Sequence, residues 1–108
     1  HRDVENQDTD FYSKADLVFL RKIIETTIKN QESIDKNITQ SIKKDWTMDR
    51  IDPTLRAIFR AAAAEFIIQT PPKIVISEFL EIAKSFFPNG KECKLVNGVL
   101  DKLATQIL

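Results

Sequence analysis

Apolar residues recur along this chain at intervals of three and four, the spacing that places side chains on one face of a helix. Leu17, Leu20, Ile24 and Ile28 form the first such stripe, behind Ser13 as N-cap. The stripe predicts a helix that packs by this face. Ile34, Ile38 and Ile42 follow at intervals of four and lead to Trp46, which predicts either a second helix after a break near Asn30-Gln31 or the continuation of one long bent helix. At Asp52-Pro53 a carboxylate stands ready to cap free backbone N–H groups, and proline takes the first helical position, where its missing donor costs nothing. The third helix starts there, with Leu55, Ile58, Phe59, Ala62 and Phe66 as its buried stripe. The small residues Ala61 to Ala64 let neighbours approach closely, so this helix is expected at the centre.

Thr70-Pro71-Pro72 stops the third helix and opens a fourth, whose stripe is Ile76, Phe79, Leu80, Ala83 and Phe86 and whose end is marked by Pro88-Asn89-Gly90. The last segment sets Leu95, Val96, Val99, Leu100, Leu103 and Ile107 on one face. The fold class is therefore all-α, a compact bundle of about five helices. Residues 1–12, polar and without period, form a flexible lead-in, and residues 13–108 one helical domain. Within it, 13–46 are the N-terminal helices and 47–108 a C-terminal helical subdomain.

Composition narrows the function classes. With 43% hydrophobic and 30% charged residues over 108 positions, one modest core is affordable in a single domain. Two Gly and four Pro leave too little turn chemistry for a many-stranded β-fold. Sixteen basic residues balance sixteen acidic ones, so nucleic acid must be met by a local patch and not by an overall field. No apolar run reaches the ~20 residues of a membrane span. The lone Cys93 has no partner for an internal disulfide, which fits a cytoplasmic protein. Asn37-Ile38-Thr39 matches the glycosylation triplet without any other sign of secretion.

Catalytic and metal-binding patterns are missing. His1 is the sole histidine, so Cys-His, Ser-His and His-metal arrangements lack a partner, and no glycine loop offers to cradle phosphate. Neither a catalytic group nor a cofactor is expected. The basic residues are more telling by position. Arg50, Arg56 and Arg60 lie around the third helix, and Lys84, Lys91 and Lys94 around the loop into the last one. With Phe86 and Phe87 they offer phosphate contacts beside a stacking surface, although periodicity assigns Phe86 to the core. Asn97-Gly98 stands out because Gly within a helix costs about 1 kcal/mol relative to Ala. Either Gly98 permits tight packing within the fold, or it lets a ligand come close.

Three stretches in order carry a family resemblance. The run from Trp46 to Pro53 (Trp-Thr-Met-Asp-Arg-Ile-Asp-Pro), then Arg56-Ala57-Ile58-Phe59-Arg60 and Glu65, resembles the signature of the NusB family of bacterial transcription antitermination factors. Lys73 through Lys84 is similar to that family's next helix, and Leu95-Val96-Asn97-Gly98-Val99-Leu100-Asp101-Lys102 to its most recognisable string. The resemblance implies an all-helical adaptor that catalyses no reaction. It further implies binding of boxA RNA together with NusE, a small-subunit ribosomal protein, within the RNA polymerase antitermination complex, in support of ribosomal RNA transcription. Carried over by position, the RNA-facing residues are Arg60, Phe86, Lys91, Lys94, Leu95 and Asn97, and the partner-facing ones Leu55 and Arg56. The family's arginine-rich segment before its first helix has no match ahead of Leu17, which implies an N-terminally truncated member. The alternative implied by similar domains elsewhere is the N-terminal domain of a ribosomal RNA cytosine methyltransferase.

Overall fold

A computed structural model of the chain describes residues 14–42, 47–88 and 90–108. Among them are five helices and no strand: α1 Lys14–Lys29, α2 Gln31–Ser41, α3 Pro53–Ile67, α4 Pro72–Phe86 and α5 Lys91–Ile107. The lead-in at 1–12, Ser13 as a cap, Trp46 and Asn89 lie outside the described residues.

Each boundary has a local cause. Only Asn30 separates α1 from α2, and its side-chain amide donates to the Thr26 carbonyl at 2.9 Å while its own carbonyl accepts from the Ile34 N–H at 2.8 Å. It thus closes one helix and opens the next. Asp52 caps α3 as expected, with Oδ1 accepting from the Thr54 N–H at 2.7 Å and Pro53 in the first turn. The end of α3 is less ordinary. Gln69 takes φ 66°, a left-handed conformation usually left to glycine, so that its N–H reaches the Phe66 carbonyl and the Thr70 N–H the Glu65 carbonyl. Pro71 and Pro72 then start α4. Gly90, at φ 86°, turns the chain into α5.

Helix α3 is the centre of the bundle and packs against all four others. Its Leu55, Ile58, Phe59, Ala62, Ala63 and Phe66 meet Ile34, Ile38 and Ile42 of the α2 segment and Val96, Val99, Leu100 and Leu103 of α5 in one continuous core. The residues before and after position 47 thus share a core across the two expected halves.

Two expected stripes are corrected. Leu17, Leu20, Ile24 and Ile28 are all exposed, between 51% and 68%, and α1 has no buried residue. Ile23, Thr26 and Thr27 are its half-buried positions, and α1 lies chiefly along α3. The apolar period is present, but no described element covers it. In α4 the buried line is Val75, Phe79 and Ala83, with Ile76 and Leu80 half-buried. Phe86 is 62% exposed, because the line continues to Phe87, whose ring packs on the core just past the helix end.

Candidate nucleic-acid interface

Helix α5 has one buried face, made by Val96, Val99, Leu100 and Leu103. Beside it runs a second line, Lys91, Leu95, Gly98 and Lys102, at intervals of four, three and four. This line, with Lys94, Glu92 and Val99, forms one wall of a groove of about 450 Å³, and Ser41 at the end of α2 contributes to the other side. Ser41 is buried and donates its hydroxyl to the Asn37 carbonyl at 2.8 Å, so a small side chain with its proton already committed stands where a larger one would fill the space. The groove thus joins an apolar floor, Leu95 and Val99, to three lysines and a single carboxylate, Glu92. Lysines at a rim over an apolar floor suit a ligand that alternates anionic and flat apolar parts.

The expected site residues divide in space. Lys91, Lys94 and Leu95 come together in this groove, whereas Asn97 is exposed on α5 without lining it. Arg60 is engaged elsewhere: Nε donates to Asp35 Oδ1 at 2.9 Å and the second nitrogen to Oδ2 at 3.0 Å, a two-pronged bridge between α3 and α2. The hydrogen bond to Asp35 holds the guanidinium still more firmly in its charged form, against the smaller opposing effect of burial. Phe86 lines a different depression, with Pro53, Thr54, Ala57, Ile58, Phe79 and Ile82. Leu55, expected at a partner surface, is 3% exposed within the core and has almost no surface to offer. Arg56 is half-buried and donates to the Met48 carbonyl at 3.2 Å, tying α3 to the turn before it.

Of the groove residues, the sequence singled out Gly98 but neither Lys102 nor Ser41. Lys102 was within reach of sequence, since counting i+11 from Lys91 finds it. Ser41 was not, because only packing brings the end of α2 to α5. Gly98 was read either as a packing glycine or as a point of ligand approach, and the described residues bear on the first. A methyl group built on it meets nothing within 4 Å, and its φ is not positive, so neither close packing nor backbone conformation requires glycine there. Its cost to the helix, about 1 kcal/mol, has no compensation among the described residues.

Glu65 lies outside the groove, on α3, and is 5% exposed. Burial, and after it the charge of Glu78, push its carboxyl up to about 7. Among the described residues no group of His, Cys, Asp and Glu is placed to hold a metal ion, and no helix is long and apolar enough to cross a membrane.

Comparison with known proteins bears on the family of the chain. The family model described as NusB family matches residues 2–105. A transcription antitermination protein NusB from Sinorhizobium fredii (strain NBRC 101917 / NGR234) is 38% identical over 109 residues, covering 99% of this chain and 68% of that protein. The protein of the same name from Agrobacterium fabrum (strain C58 / ATCC 33970) is 38% identical, with 99% and 66% covered. That from Gluconobacter oxydans (strain 621H) is 40% identical over 90 residues, 83% of this chain and 56% of that protein. No solved structure matches the chain.

Proposed function

The chain belongs to the NusB family, and from that premise we propose that it serves transcription antitermination as an adaptor, holding boxA RNA together with NusE for the polymerase complex. The observation that carries this reading is the lysine-rimmed groove, whose floor belongs to the same Leu95 to Lys102 string that resembles the family. Lys91, Lys94 and Lys102 supply phosphate contacts on the solvent side, and Leu95 and Val99 an apolar surface below them. With zero net charge, the chain draws RNA to this patch and not to its surface at large. Ser41 comes from the 13–46 half and α5 from the 47–108 half, so the proposed site lies where the two halves meet. Arg60 contributes by fixing α2 against α3 through Asp35, and Asn97 by offering an exposed amide beside the groove.

The test is fluorescence anisotropy with a labelled single-stranded boxA RNA and a scrambled RNA, with and without NusE, over a range of salt. Preference for boxA, strengthening by NusE, and a slope of log affinity against log salt near about −2, as three phosphate contacts on a single strand require, are expected. Replacing Lys91 and Lys94 by Glu should weaken binding and flatten that slope while the helical circular dichroism signal is kept. Equal affinity for the two RNAs would refute the proposal.

A further inference from the structure

We infer that Gly98 is the point where a base of the bound RNA lies against bare helix backbone, so that the missing side chain is itself part of the recognition surface. The inference rests on the RNA-binding reading above and names the contact within it. Three observations carry it. First, nothing among the described residues calls for glycine at this position: it lies within α5, a Cβ there meets none of their atoms within 4 Å, and its φ is not positive. Second, Gly98 is exposed and lines the groove, where most neighbours on the same line carry long side chains. Third, it lies between cations. Lys91 and Lys102 are about 16 Å apart along the helix by its rise per residue, with Lys94 alongside, and Gly98 interrupts this row with a flat gap.

The chemistry of the gap selects the ligand. Phosphates reach the lysines from the solvent side, which leaves the planar, weakly polar part of a nucleotide to cover Leu95, Val99 and the Gly98 backbone. Among the described residues no aromatic ring lines this groove, so the base rests there on an apolar shelf, and its approach is limited by whatever projects from position 98. Glu92, at the same wall, offers an acceptor to an exocyclic amine. An acidic peptide would satisfy the lysines equally but would gain nothing from a bare backbone at the centre of the row.

The experiment compares the 108-residue chain with its Gly98→Ala variant, using a labelled single-stranded boxA RNA and thermal unfolding in parallel. Removing the helix penalty should raise the variant's Tm by about 4–8 °C, so loss of fold does not confound the reading. RNA affinity should nevertheless fall roughly tenfold, the scale of one lost base contact. Its salt slope should stay as in the parent, because the lysines are untouched. Lys94→Glu serves as the contrasting variant and should flatten the slope. If the parent binds boxA and Lys94→Glu weakens it, while Gly98→Ala binds as well as the parent, the inference fails and the RNA-binding reading stands. If the parent shows no preference for boxA, both fall. A Tm lowered by Gly98→Ala would also overturn the inference, since glycine would then be structural.

Discussion

Replacing Glu65 by Gln takes away a carboxyl that the fold holds against its preference for charge. Glu65 is 5% exposed on the central helix α3, and burial first, then the nearby Glu78, raise its pKa from 4.5 to about 7. Well below pH 4.5 the group is neutral in both folded and unfolded chains and contributes nothing to a difference between them. As pH rises from 4.5 towards 7 the unfolded chain releases the proton while the folded chain retains it. The native state then binds more protons, so stability falls across this window and levels off above it. At 1.36 kcal/mol per unit, the loss reaches up to about 3 kcal/mol by pH 8. Gln mimics the neutral acid at every pH. Urea unfolding followed by circular dichroism should therefore show Glu65→Gln and the parent alike at pH 4.5, and the variant more stable by a few kcal/mol at pH 8. Glu78→Gln should remove a smaller part of the same slope, because burial is the larger cause. A parent and a Glu65→Gln variant that differ by a constant amount from pH 4.5 to 8 would refute the reasoning.

Two further outcomes test the fold directly. Gln69→Gly should raise stability by about 1 kcal/mol, since φ 66° is strained for Gln and free for Gly; an unchanged urea midpoint would show that the turn relaxes. On α1, Leu20→Gln and Ile24→Gln should each change stability by no more than about 0.5 kcal/mol, because both side chains are half exposed. Ile38→Ala, at 0% exposure in α2, should cost about 2–5 kcal/mol in the same assay. A loss of that size at Leu20 would mean that the α1 face is covered.

How far the chain could be read without its structure depends on the range of the interaction concerned. Asp52-Pro53 and Pro71-Pro72 act within one turn of where they stand, so the starts of α3 and α4 were legible, whereas α5 begins at Lys91, within the loop expected around Lys91 and Lys94. The stripes of α2, α3 and α5 were also legible, because those apolar faces converge on one core. The turn at Gln69 was not, since its left-handed residue carries a side chain and gives no glycine signal. Of the candidate site, the family resemblance named Lys91, Lys94 and Leu95, and the three share a groove.

Sequence alone thus determined that this is a helical bundle of a recognisable family, where most of its helices begin, and that Asn97-Gly98 is an anomaly. Tertiary structure decided everything that depends on what lies opposite. Period shows that α1 has an apolar face, but only packing shows that Leu17, Leu20, Ile24 and Ile28 remain uncovered among the described residues. Only packing sends Phe86 outward and Phe87 inward, and buries Leu55. It joins Arg60 to Asp35, 25 residues earlier, and brings Ser41 to the far wall of the α5 groove. Gly98 draws on both levels: its cost is a property of the helix, and its openness to a ligand is a property of the space around it.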